Sequence, residues 1–150
     1  MRGDRPFSSI FLDSGFFIAL GNTSDRDHEQ AAGLAERIRK GEFGQPFTSD
    51  YVFDEAVTAT LVRTGRVDKA VQVGRIILGY EAEDLPPLAR LLSVDGRVFS
   101  KAWQNFSSGK YKKKNLSFTD HTILAQIYEH GIGAIASMDD GFDGLVPRIV

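Results

Sequence analysis

The chain has 150 residues, 42% hydrophobic and 25% charged, with a formal net charge of -2 and no cysteine. Such a composition suits one globular domain over residues 1–150 that buries roughly 70% of its unfolded surface. It excludes disulfides, thiolate metal sites and a thiol nucleophile. No apolar run approaches the ~20 residues of a membrane helix, and MRGDRPFSSIFLDSG does not read as a secretory signal. A cytoplasmic protein without a membrane partner is therefore expected.

The first element is SIFL, too continuously apolar for a strand with one wet face, so it reads as a short buried strand. Asp13 ends it, and SGFFIALGN follows as one or two helical turns closing near Gly21. Asp27 to Lys40 reads as a helix, with Gly41 placed to stop it. QPFTS is a short strand feeding a helix that starts near Ser49 or Asp50 and breaks at Gly65. A further helix runs from Arg66 to about Leu78, with Val67, Ala70, Val71, Gly74 and Ile77 or Leu78 on one side. Pro86-Pro87 marks a turn, LARLLSV a strand, GRVFSKAWQNFSS a helix and GKYKKKN an exposed loop. Thr119 is the expected N-cap of DHTILAQIYEH, whose Ile123, Leu124, Ile127 and Tyr128 form an apolar stripe. GAIAS and VPRIV close the chain as strands.

Strands alternating with helices predict a mostly parallel sheet covered on both faces, in which ligands gather at the strand C-termini. Asp13, Glu55 and Asp139 fall at or just past predicted strand ends. Asp120 opens a helix, where the dipole favours a carboxylate. Carboxylates brought together repel one another and call for a cation or protons. An all-oxygen set without cysteine suits Mg²⁺ or Mn²⁺ over zinc, and such ions support phosphodiester hydrolysis. Charge is distributed unevenly as well. No acidic residue lies between Asp95 and Asp120, whereas Arg97, Lys101, Lys110, Lys112, Lys113 and Lys114 do. A near-neutral chain can thus present a cationic patch to a polyanion.

Four segments, IFLDSGFFIAL, TSDYVFDEAVT, LSFTDHTILA and AIASMDDGFD, resemble in order and spacing the acidic motifs of PIN-domain nucleases, most of all the VapC-type toxin ribonucleases of prokaryotes. The resemblance implies an α/β/α sandwich with a mostly parallel central sheet, commonly a homodimer, that cleaves RNA with Mg²⁺ or Mn²⁺. It implies Asp13, Glu55, Asp120 and Asp139 as catalytic metal ligands, with Ser14 and Thr119 as supporting hydroxyls. Hydrolysis would leave 5′-phosphate and 3′-hydroxyl ends. An antitoxin that blocks the acidic pocket is the implied protein partner.

Several alternatives stay open at this level. Helical periodicity does not choose between Asp54 and Glu55; the family motif chooses Glu55. In SMDDGFDG the adjacent Asp139 and Asp140 leave the fourth ligand undecided, and Asp143 is a further candidate. The missing downstream glutamate argues against a calcium loop. Lys110, Tyr111, Lys112, Lys113 and Lys114 are candidates for contacts with single-stranded RNA, the lysines on phosphates and Tyr111 on a base. The bland counterpart is a solvated basic loop. A DNA nuclease on the same scaffold and a non-catalytic RNA-binding domain are the competing functions. A phosphatase with Asp13 as nucleophile lacks the second aspartate, since Gly15 stands there.

Overall fold

The computed structural model describes residues 7–150. Five strands form one sheet: β1 (Ser9–Leu12), β2 (Gln45–Ser49), β3 (Arg90–Leu92), β4 (Ala134–Ala136) and β5 (Arg148–Ile149). Six helices connect them: α1 (Ser14–Gly21), α2 (His28–Arg39), α3 (Asp50–Thr64), α4 (Val67–Leu78), α5 (Gly96–Ser107) and α6 (Phe118–His130). All strand pairs are parallel, in the order β3-β2-β1-β4-β5. The architecture is the expected α/β class. With this strand order, the general right-handedness of parallel crossovers puts α1 to α4 on one face and α5 with α6 on the other. The helix contacts agree, since α1 packs on α2, α3 and α4, and α5 on α6.

Burial explains why the apolar runs become central strands. Every residue of β1 and β4 is buried, as a strand covered on both faces must be. Ile10, Phe11 and Leu12 pack with Phe16 and Phe17 of α1, Ile123 and Leu124 of α6, and Ile135 of β4. Gly44 turns the chain into β2 with φ of 77°, and a Cβ there would collide with the Ser8 carbonyl. Gly65 and Gly131 adopt left-handed conformations that close α3 and α6.

Several details differ from the sequence expectations. The strand expected across LARLLSV is confined to Arg90–Leu92 and lies at the sheet edge. The buried face of α4 is Ala70, Val73, Gly74 and Ile77, while Val67, Val71 and Leu78 are exposed. Val73 fits against Gly21, where a Cβ would meet its side chain. Tyr128 is likewise exposed, because α6 is enclosed along His121 to Ile127 rather than along a narrow stripe. The N-cap of α6 is Ser117, not Thr119, which lies inside the first turn.

The strand order reverses direction between β1 and β4. β1 is followed on one side by β2 and β3, whereas the chain returns from β3 to the other side of β1. This switch point opens a crevice at the strand C-termini. Leu12 pairs with Ala136 there, and the Asp13 N–H donates to the Ala136 carbonyl at 3.1 Å. The residues after β1 and β4, Asp13 and Ser137, consequently start from adjacent backbones.

Candidate active site

Asp13 sits at this switch point and is only 7% exposed. It N-caps α1, its Oδ1 accepting from the Ser14 N–H at 2.7 Å. Its other oxygen, Oδ2, accepts from the Ser137 hydroxyl at 3.0 Å. Ser14 reaches the opposite way: its hydroxyl donates to Glu55 Oε1 at 2.7 Å. Glu55 is half-buried on the second turn of α3, while Asp54 is exposed and accepts from Thr58. The helix phase thus selects Glu55 as the acid that faces the crevice.

Asp120 enters from α6. The Ser117 hydroxyl accepts from the Asp120 N–H at 3.1 Å, and Asp120 Oδ2 accepts from the Ser117 N–H at 3.0 Å. This reciprocal box fixes the carboxylate in the first helical turn. Thr119 is half-buried beside it, its carbonyl accepting from the Thr122 hydroxyl at 2.6 Å. Asp139 lies on the exposed loop after β4, with Oδ1 turned onto the Gly141 N–H at 2.6 Å.

Electrostatics ties the four acids together. Burial raises the Asp13 carboxyl from 3.8 to about 7, reinforced by Asp120 and Glu55 and opposed by the bonds from Ser137 and Ser14. Asp120 is raised too, first by burial and then by Glu55 and Asp139, against the pull of the Ser117 bonds. None of the ion pairs among the described residues involves Asp13, Glu55, Asp120 or Asp139. Among the described residues these acids therefore gather negative charge with no direct ion pair, Arg148 acting on Asp139 only at longer range. As the side chains stand, no group of three or more acidic or histidine residues among those described encloses an ion. Glu55 and Asp139 are each turned onto a protein donor through one oxygen.

The other aspartates of the last loop have different surroundings. Arg148 pairs with both oxygens of Asp143, at 2.7 and 3.2 Å, and holds its carboxyl below the usual range. Arg148 also donates to the Ser137 carbonyl at 3.3 Å, so it braces the loop from β5. Asp140 is exposed.

The basic segment is only partly a free loop. Lys112–Lys114 forms a 3-10 turn, and Lys114 Nζ donates to the Asp143 carbonyl at 2.6 Å. Lys110, Lys112 and Lys113 are exposed. Tyr111 is half-buried with its ring centroid 5.6 Å from that of His121, and Lys110 Nζ lies 5.3 Å from the Tyr111 ring. His121 itself is buried, its Nδ1 2.7 Å from the Ser117 carbonyl, so it belongs to the packing of α6.

Sequence reasoning did not assign roles to Ser117, Ser137 and Arg148. Ser117 stands three residues before Asp120, and that spacing could have marked it as the cap. Ser137 and Arg148 act through tertiary contacts that no local pattern announces.

The PIN domain family model matches residues 10–145, and the chain belongs to this family. A relative, the 23S rRNA-specific endonuclease VapC20 of Mycobacterium tuberculosis, is 27% identical over 133 residues, covering 89% of this chain and 91% of that protein. The crystal structure of M. tuberculosis VapC20, described as a Sarcin-Ricin loop cleaving toxin, superposes with a TM-score of 0.72 at 26% identity. That match covers 89% of this chain and 92% of the other. FitAcB from Neisseria gonorrhoeae matches with a TM-score of 0.64 at 17% identity, covering 94% and 96%, a likeness of fold.

Proposed function

We propose that this chain is a metal-dependent endoribonuclease and the toxin of a toxin–antitoxin pair. One observation supports the reading: the buried Asp13, just after β1, is electrostatically coupled to Glu55 of α3 and Asp120 of α6, and Asp120 in turn to Asp139 after β4, with no ion pair to any of the four among the described residues. Structural carboxylates are ordinarily paired or exposed, whereas Asp13 is buried beside two other acids. The likeness to an rRNA endonuclease over most of both chains supports RNA as the substrate.

Asp13, Glu55, Asp120 and Asp139 would hold Mg²⁺ or Mn²⁺, to which their all-oxygen donor set is suited. When bound, such an ion lowers the pKa of an attacking water and stabilises charge on the phosphate. The protein's own part is to orient. Ser14 aims Glu55, Ser137 holds Asp13, and the Ser117 box fixes Asp120. Asp143 is tied to Arg148, so its role is to shape the loop that presents Asp139.

A toxin needs a neutralising partner, and the groove between α3 and α4 is suited to a protein. It is lined by Phe53, Val57, Leu61, Val71 and Leu78, with Arg75 the one charged residue among the described ones. We assign it to the antitoxin; a homodimer is proposed alongside, to be read by sedimentation of the isolated chain.

Labelled single-stranded RNA and DNA are incubated with the protein and Mn²⁺, with chelator, and with the Asp13→Asn variant. RNA cleavage that needs both the ion and Asp13 is expected. Cleavage surviving chelation and the substitution rejects the mechanism, and cleavage of DNA alone moves the function to a DNA nuclease.

A further inference from the structure

We propose that the aromatic face of α5, with the pocket beside it, binds unpaired bases of the substrate strand next to the carboxylates. This rests on the reading of the chain as an RNA nuclease and adds where the bases dock. Phe99, Trp103 and Phe106 fall on one side of α5 at helical spacing, while Val98 and Ala102 form its buried side. The three rings are 47%, 56% and 42% exposed. Trp103 and Phe106 lie stacked, with ring centroids 6.0 Å apart and planes 19° from parallel. Three large rings left in water on one helix mark a binding surface rather than scattered exposure.

Phe106 also forms a wall of a cavity of about 220 Å³, together with Tyr111, Lys112, Asn115, Leu116 and His121. This is below the ~300 Å³ at which pockets begin to take drug-sized ligands, so it suits one planar heterocycle. Aromatic walls supply stacking, and Asn115 and Lys112 supply groups able to hydrogen-bond a base edge. The cavity adjoins the acids. Leu116 Cδ2 and Asp139 Oδ1 would stand 3.1 and 3.2 Å from a Cβ on Gly141, and His121 directly follows Asp120. Phe118, two residues before Asp120, packs edge-on against both Phe99 and Phe106.

Charge selects nucleic acid over protein for this face. Lys110, against the Tyr111 ring, and Lys112, on the cavity wall, are exposed, and no acidic residue occurs from Gly96 to Thr119. Rings interleaved with cations are how single strands are held without base pairing.

Trp103 is the only tryptophan, so its emission reports this face directly. Single-stranded RNA is titrated with chelator present, so that nothing is cut. Saturable quenching is expected from an unpaired strand, and little from a blunt duplex or an abasic strand. In anisotropy with labelled RNA, Trp103→Ala weakens binding roughly five- to a hundredfold, and Trp103→Phe recovers most of it. Unaltered affinity in Trp103→Ala, or RNA binding without quenching, overturns the proposal. So does emission that tracks protein concentration without RNA, if Trp103→Ala also turns a dimer into a monomer. Quenching without any cleavage would reject the nuclease reading alone, whereas cleavage with unaltered Trp103→Ala affinity rejects only this one.

Discussion

The Ser14 hydroxyl donates a 2.7 Å hydrogen bond to Glu55 Oε1, joining the start of α1 to the second turn of α3 across 41 residues. The same hydroxyl lies 3.4 Å from Asp13 Oδ1, so one small side chain bridges two acids that would otherwise repel. Ser14→Ala is expected to leave Glu55 without its aim. Loss of such an orienting partner costs about 10–100-fold in metal affinity or activity. A Mn²⁺ titration followed by thermal shift, beside a cleavage assay, checks it; an unaltered Mn²⁺ midpoint would remove Ser14 from the orienting set.

The elevated Asp13 carboxyl gives a pH-dependent stability with a definite sign. Between 3.8 and about 7 the folded chain retains a proton that the unfolded chain has released. Stability of the metal-free protein therefore falls as pH rises through that window and stays lower above it. Asp120, raised for the same first reason, adds in the same direction. Asp13→Asn removes the Asp13 contribution, which is on the order of a few kcal/mol. At pH 8 the metal-free variant should melt about 5 °C or more above the parent chain, and near pH 4 the two should coincide. Added Mn²⁺ should narrow the gap at pH 8 by stabilising the parent chain preferentially. A gap that is the same at both pH values contradicts the assignment.

Ser137 sets where that titration falls. Its hydroxyl bond favours the ionised form of Asp13, so Ser137→Ala should raise the Asp13 carboxyl further. The acidic limb of the pH–rate profile should move to higher pH, with the rate at the plateau less affected. A profile with an unmoved limb would separate Ser137 from the chemistry.

Much of this arrangement is legible in the sequence. β1 and β4 were readable because a strand buried on both faces is apolar at every position, and Asp13 stands out at the end of one. Periodicity does not separate Glu55 from Asp54, since α3 carries apolar residues around much of its circumference, including Phe53, the buried Val52 and the exposed Val62. On α4 the expectation holds at Ala70, Gly74 and Ile77 and fails at Val67, Val71 and Leu78, which are as apolar as Val73; only the packing of Val73 against Gly21 ranks them. The α6 cap lies two residues earlier than the sequence suggests because Ser117 and Thr119 are both good caps, and the Asp120 side chain decides between them by closing its box with Ser117. Arg148 was silent in sequence, as its partner lies on a different element.

That capping difference can be measured. Ser117→Ala removes both the side-chain acceptor of the Asp120 N–H and the fixed entry to α6, at a cost of about 1 kcal/mol. It should also reduce cleavage, because Asp120 loses its anchor. Thr119→Ala keeps the box and should alter stability by less than about 0.5 kcal/mol. Urea melts of the two variants distinguish the caps, and equal losses would contradict the Ser117 assignment.

The last loop offers the sharpest separation between a ligand and a brace. Asp143 is exposed and paired with Arg148 through both oxygens, whereas Asp139 feels the same guanidinium only at longer range and forms no ion pair among the described residues. An exposed pair contributes at most about 1 kcal/mol to stability, so Asp143→Asn should fold normally and bind Mn²⁺ within a few-fold of the parent chain. Asp139→Asn should instead lose most of its Mn²⁺ response, since one of the four acids then carries no charge. Arg148→Ala is the informative third variant. It frees the Asp143 carboxylate and removes the 3.3 Å bond to the Ser137 carbonyl, loosening the loop that presents Asp139. If Asp143 only braces, Asp143→Asn should weaken Mn²⁺ binding modestly, and Arg148→Ala should change it little, the loosened loop being offset by loss of a cation acting on Asp139. If Asp143 binds the ion, freeing it in Arg148→Ala should strengthen Mn²⁺ binding while Asp143→Asn weakens it strongly. Thermal shift with Mn²⁺ at pH 7.5 reads all three variants without requiring turnover.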